Sequence, residues 1–218
     1  MPDTVLVVLV LGLVPFVLLA TTSFAKLSIV LSMLRNAFGG GQVPSGGVVV
    51  VLAAILTGYV MLPVARAVID ASAPDLQHVD SHAPFAANSG KALLSALDHG
   101  KEPVRVFLDQ NAGTSERQLF LELLKKRVRD DERAGITERD FAVVLPAFFI
   151  TELKEALELG FLLLLPFLVL DLVVASILAS LGMASLPPTV VALPFKLLLF
   201  VTIDGFRTLV EALLAGYR

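Results

Sequence analysis

Gly160–Ser180 reads GFLLLLPFLVLDLVVASILAS, an apolar run whose only ionisable group is Asp171. Leu181–Pro188 then interrupts it, because Gly182 followed by Pro187-Pro188 does not continue a helix undisturbed. A second apolar helix is expected over Thr189–Gly216, with Lys196, Asp204, Arg207 and Glu211 as its charges. The C-terminal part, residues 141–218, therefore reads as a long helical hairpin with its tip at 182–188.

The N-terminal part, residues 1–70, repeats this organisation. Thr4–Ala25 is 22 residues without a charge. As a helix rising 1.5 Å per residue it reaches about 33 Å, enough for a hydrocarbon core of about 30 Å, and the pattern continues through Lys26–Phe38 as one long helix. Met1-Pro2-Asp3-Thr4 carries no Lys or Arg and no A-x-A site follows, so the segment reads as retained rather than as a cleaved signal. Gly39–Gly47 is a turn by composition, and Val48–Ile69 a second apolar helix with Pro63 as a kink. Neither the glycines of the turn nor Asn88-Ser89-Gly90-Lys91 completes a phosphate-loop pattern.

Between them, residues 71–140 form a polar insert. It holds 22 of the 37 charged side chains, whereas Thr4–Ala65 holds only Lys26 and Arg35. Short helices are expected over Ser89–His99 and Pro103–Gln110, with Pro103 at a first helical position. Another is expected from Ser115, where Ser115-x-x-Gln118 forms a capping box before the apolar face of Leu119, Phe120, Leu123, Leu124 and Val128. Lys125-Lys126-Arg127 and Asp130-Asp131-Glu132-Arg133 read as a solvated face. Thr137 is the expected cap of the helix that opens the C-terminal part. His78, His82 and His99 lack a ligand spacing on one helix, so they read as loop histidines rather than a metal site.

Composition excludes several function classes. Hydrophobic residues make up 56% of the 218 and charged ones 17%, with mean hydropathy +0.82. That is richer in apolar residues and poorer in charge than a soluble domain. A net charge of −3 offers no surplus for nucleic acid. The absence of cysteine removes disulfides, thiolate metal sites and cysteine nucleophiles. No cofactor is implied.

Charges within apolar helices are costly and face a partner or a water-filled path. With the tip centred between Ser185 and Leu186, a straight hairpin sets Lys196 opposite Ala175, one turn from Asp171. Glu152 lies more than twenty residues away along the helix, near Lys154, Glu155 and Glu158. It reaches Lys196 only from a hairpin bent at Pro166 or Pro194, or from another subunit. Structural ion pairs and a mechanistic role both remain open for these groups.

Leu145-Pro146-Ala147-Phe148, Thr151-Glu152-Leu153-Lys154, Gly160-Phe161, Pro166-Phe167-Leu168, Asp171–Ser176, Leu181-Gly182-Met183, Pro187-Pro188, Leu193–Phe200 and Asp204-Gly205 recur in a known order and spacing. The chain resembles the R subunit of the type III secretion export gate (SctR, YscR, HrcR) and its flagellar counterpart FliP. Thr22-Ser23-Phe24, Ile29–Ser32 and Leu34-Arg35 fit the same family. The resemblance covers both apolar parts, about two thirds of the chain, and not the insert. The short N-terminus without a signal resembles the injectisome branch more than the flagellar one.

The resemblance implies an all-α, membrane-associated subunit and not an enzyme. Five copies join S and T subunits, next to U and V subunits, in a helical pore of the bacterial inner membrane. Unfolded secretion substrates pass through it. Family members read as four-span proteins, although in the assembled gate much of the subunit sits above the bilayer plane, packed on its neighbours. The family also implies that Glu152 pairs with Lys196 across a subunit boundary. It further implies that a methionine cluster after the tip glycine closes the pore. Here that cluster reads Met183-Ala184-Ser185, so Met183, helped by Leu186, is expected to carry the constriction. Arg35 beside the glycine turn favours that turn on the cytoplasmic side, and hence the insert in the periplasm.

Two other functions set the contrast. An ion-coupled secondary transporter or channel subunit would use Asp171, Lys196 and Glu152 as relays in interrupted helices. A membrane-embedded hydrolase would need a nucleophile–base–orienter set, yet neither apolar part contains His or G-x-S-x-G.

Overall fold

A computed structural model describes residues 12, 15–39, 44–77, 87–183 and 185–217. Residues 4–11, 13 and 14 of the run beginning at Thr4, the middle of the glycine turn, His78, His82 and Ala184 lie outside them. Among the described residues every regular element is helical. The α-helices are α1 (Pro15–Thr21), α2 (Phe24–Ala37), α3 (Gly46–Leu76), α4 (Ala87–Asn111), α5 (Thr114–Arg127), α6 (Phe141–Ser180), α7 (Pro188–Thr202) and α8 (Gly205–Ala215). A single 3-10 turn, Arg133–Gly135, precedes α6. By length and composition α3 and α6 each suffice to cross a membrane, and four spans result if each broken pair, α1 with α2 and α7 with α8, counts as one.

The chain divides into two compact units, one of Met1–Thr22, Tyr59–Thr151 and Arg218, the other of Ser23–Gly58 and Glu152–Tyr217. In the first, α4 and the opening turns of α6 supply buried Phe107, Leu108, Val143, Val144, Ala147 and Phe148. The rings of Phe107 and Phe148 meet edge to face at 5.6 Å. Asp75 near the end of α3 takes Ser95 Oγ at 2.9 Å on one oxygen and lies 2.7 Å from His99 Nδ1 on the other.

Several local expectations are corrected here. The insert's first two helices are one, α4, which runs through Pro103. Proline removes one helical hydrogen bond, but Phe107 and Leu108 beyond it are buried, and their packing holds the helix together. The α5 helix starts one residue before Ser115. Gly113, extended at φ −61° and ψ 141°, is its cap residue, and its N–H donates to Thr151 Oγ1 at 2.9 Å. Ser115 therefore does not cap, and its hydroxyl meets Glu116 instead. No residue of α5 is fully buried, so its apolar face is only partly covered within the chain. At the start of α6 the cap position is Asp140 rather than Thr137. The Asp140 carbonyl accepts Val144 N–H, and its carboxylate accepts Thr137 N–H, both at 2.8 Å. The N-terminal helix is not continuous either, since it stops at Thr21 and restarts at Phe24. Thr21 and Thr22 donate their hydroxyls back to the Val17 and Leu18 carbonyls at 2.7 and 2.6 Å, a contact that bends helices.

The second unit has its own core. Leu27, Val30, Leu31 and Leu34 of α2 are buried with Ala156 and Phe167 of α6, Phe200 of α7, and Leu209 and Leu213 of α8. Phe38 meets Phe167 and Phe200 edge to face, each at 5.4 Å, and Phe200 meets Phe206 at 4.8 Å. Such ring pairs contribute about 0.5–1.5 kcal/mol beyond the area they bury. The expected final helix Thr189–Gly216 is broken, because α7 and α8 meet at 64°. Asp204 between them is left-handed at φ 51°, and a Cβ on Gly205 would collide with the Phe200 ring. The elbow leaves an apolar cavity of about 200 Å³ walled by residues including Leu159, Leu163 and Leu213. Its lining suits hydrocarbon rather than a polar substrate.

Candidate functional site

Two buried ionic clusters and the hairpin tip carry the chemistry of the second unit. The first cluster forms where α2 begins. Lys26, on the first turn of α2, is 1% exposed, and Glu152, on α6, is fully buried. Lys26 Nζ lies 3.0 Å from Glu152 Oε1 and 2.7 Å from Glu155 Oε2, one helical turn further on. Tyr217, just beyond α8, donates its hydroxyl to Glu152 Oε2 at 2.5 Å, and the Lys26 ammonium sits 3.8 Å from the Tyr217 ring centroid. A lone cation in an apolar helix must find a carboxylate, which makes the isolated Lys26 the sequence signal for this cluster. Sequence reasoning missed both Lys26 and Tyr217 as partners of Glu152. Tyr217 has no comparable signal.

The second cluster forms where α2 ends. Gly39 at φ 88° stops the helix and leaves its last carbonyls without helical donors. Buried Lys196 reaches over from α7 and donates to the Ala37 carbonyl at 2.8 Å and to Asp171 Oδ2 at 2.7 Å. A cation at a helix C-terminus also complements the helix dipole. The structure thus brings Lys196 to Asp171 and does not bring it to Glu152 within one chain. Lys154 is exposed.

The tip follows from its sequence. Gly182 at φ 70° ends α6, with Met183 N–H on the Leu178 carbonyl at 2.9 Å and Gly182 N–H on Ala179 at 3.1 Å. This is the paired-bond glycine cap that satisfies orphan carbonyls at a helix end. Pro187 is the extended cap residue of α7, and Pro188 takes its first position, where a missing N–H costs nothing. Met183 and Leu186 are 44% and 40% exposed, so both present apolar side chains outward. No group of three or more His, Asp or Glu side chains that could hold a metal occurs among the described residues.

The apolar surface around these features is extensive. Val48, Val51 and Ile55 of α3, Phe161, Leu168 and Leu172 of α6, and Val190, Phe195 and Val201 of α7 are all exposed. Exposed apolar area on this scale marks contact with lipid or protein.

The FliP family profile matches residues 7–213. The chain is 39% identical over 208 residues to the probable translocation protein y4yL of Sinorhizobium fredii, covering 95% of this chain and 90% of the relative. It is 36% identical over 223 residues to the Yop proteins translocation protein R of Yersinia pestis, covering 100% and 98%. It is 40% identical over 211 residues to the flagellar biosynthetic protein FliP of Caulobacter vibrioides, covering 96% and 73%. A match that spans both apolar parts and the insert, together with these relatives, places the chain in the FliP family.

Proposed function

We propose that this protein is the R subunit of a type III secretion export gate of the injectisome branch. It assembles, with about five copies, alongside S and T subunits around a pore in the bacterial inner membrane, and the polar insert faces the periplasm. U and V subunits adjoin it, and unfolded proteins are its cargo. Its role is structural rather than catalytic. The family match over residues 7–213 carries the export-gate reading. The 90% and 98% coverage of the probable translocation protein y4yL and the Yop proteins translocation protein R supports the injectisome branch. The broad exposed apolar surface of α3, α6 and α7 supports assembly, since one chain leaves that surface uncovered.

Met183 and Leu186 at the exposed tip line the constriction on this reading. Methionine is apolar, unbranched and adaptable, so several copies can close around irregular contents. A Glu152–Lys196 pair between neighbouring copies also belongs to it. Both side chains are buried against partners of their own chain, so such a pair requires at least one cluster to open on assembly.

Complementation tests the function. In a strain that keeps the other secretion genes but lacks this one, export of a reporter substrate should cease and return with the intact gene. Persisting export would contradict the proposal.

A further inference from the structure

We propose that Tyr217 and Lys26 are positioning residues for Glu152: they hold its carboxylate in one orientation and thereby fasten the α7–α8 elbow to α2 and α6. Three segments distant in sequence converge there. Glu152 Oε2 accepts from the Tyr217 hydroxyl at 2.5 Å, while Oε1 makes no hydrogen bond and is held only by its ion pair with Lys26 at 3.0 Å. Glu155 takes the ammonium from a second side at 2.7 Å. Tyr217 serves twice, through its O–H to the carboxylate and through its ring face to the ammonium 3.8 Å away.

The arrangement answers a specific cost. An ammonium and a carboxylate removed from water are tolerated only when good geometry and further hydrogen bonds satisfy them. Two carboxylates face one ammonium here, and the tyrosine O–H meets part of the remaining acceptor demand. A ring face near a desolvated cation adds to the hold.

Mechanically the cluster sits where it matters. The α8 helix is only 11 residues long and departs from α7 at a left-handed Asp204. Its buried apolar anchors are Leu209 and Leu213, and Tyr217 is the polar anchor beyond them. With Tyr217 bound, the end of α8 is tied to α2 and α6 together. The inference concerns the isolated chain and goes beyond the export-gate reading, on which it does not depend.

The test uses the natural absence of cysteine. Glu158→Cys and Ala215→Cys, both at exposed positions, carry spin labels in the detergent-purified full chain, and pulsed electron resonance measures the distance between α6 and α8. The native clasp should give one narrow distance. Tyr217→Phe keeps the ring but removes the hydrogen bond to a charged group, and should raise the open population about tenfold or more. Tyr217→Leu should raise it further. Lys26→Met should open the elbow too, whereas Lys26→Met with Glu152→Gln should close it again, because no unpaired buried charge remains. A role in packing alone gives no such rescue. A distance unchanged in Tyr217→Phe overturns the proposal, and this near-isosteric variant decides the matter even if Lys26→Met fails to fold. The readout needs no S or T subunit, so its failure is distinct from failure of the export-gate reading.

Discussion

Lys196 and Asp171 meet at 2.7 Å across the α6–α7 hairpin, and the same ammonium donates to Ala37, the last residue of α2. One cation thereby joins three helices at a point where a helix end and a carboxylate both need a donor. Removing one partner of a buried pair leaves the other unpaired and costs about 3–5 kcal/mol. Lys196→Ala should lower stability by that order, and Lys196→Met with Asp171→Asn by clearly less, in denaturant unfolding of the detergent-solubilised chain. Equal losses in the two variants would mean that the charge pairing is immaterial.

Charge exchange separates this pair from the one proposed between copies. Lys196→Glu should abolish secretion. If the intrachain pair is the one that matters, Asp171→Lys restores part of it. If the pair between copies matters, Glu152→Lys does so instead. Reporter export in the complemented strain reads the difference, and rescue by neither substitution would remove both pairings from the account.

The two special glycines should fail for different reasons. Gly182→Ala places a Cβ in the left-handed region at φ 70°, with open space around it, and should cost about 1–2 kcal/mol through the backbone alone. Gly205→Ala drives a Cβ into the Phe200 ring and should cost about 1–3 kcal/mol by overpacking. Phe200→Leu should then relieve Gly205→Ala while leaving Gly182→Ala unchanged, as measured by thermal unfolding in detergent.

The insert should show a pH dependence centred on His99. The Asp75 carboxylate, bonded to its ring, holds the imidazole pKa above its ordinary value of 6.5, with Asp98 adding a smaller push in the same direction. A raised pKa means that the folded state binds the proton more tightly. The contribution is therefore complete below about pH 6.5 and is lost as pH rises through the folded value. Hydrogen exchange of α4 amides should show greater protection at pH 6 than at pH 8.5, after correction for intrinsic rates, and His99→Gln should flatten that difference. A native difference that survives His99→Gln would assign it to another group.

Met183→Gly should raise leakage of a small, normally impermeant solute through the resting gate while assembly and export persist. Adding bulk with Ala184→Met and Ser185→Met should reduce leakage. Unchanged uptake in an assembled Met183→Gly gate would place the seal elsewhere.

The C-terminal pair of helices and its tip were legible because their determinants are local. A long apolar run closed by Gly182 and Pro187-Pro188 dictates two helices and a tip, and the hairpin register then set Lys196 near Asp171. The breaks at Thr22–Ser23 and at Asp204 were not legible. Threonines that bond back to carbonyls look like any others in a sequence, and the elbow depends on how Gly205 meets Phe200, a contact made only on folding. Pro103 misled for the opposite reason, since burial of Phe107 and Leu108 outweighs its local veto. At the site, Glu152 stood out as a charge, but its partners Lys26 and Tyr217 lie 126 and 65 positions away, and no periodicity links them.

The central claim is that this chain functions only as one subunit of a multi-subunit gate. Native mass spectrometry of the detergent-extracted complex, after co-expression with the neighbouring secretion genes, tests it most directly. The account predicts a homo-oligomer of about five copies that also contains S and T subunits. A monomer of this chain, under conditions where the S and T subunits assemble with each other, would contradict it.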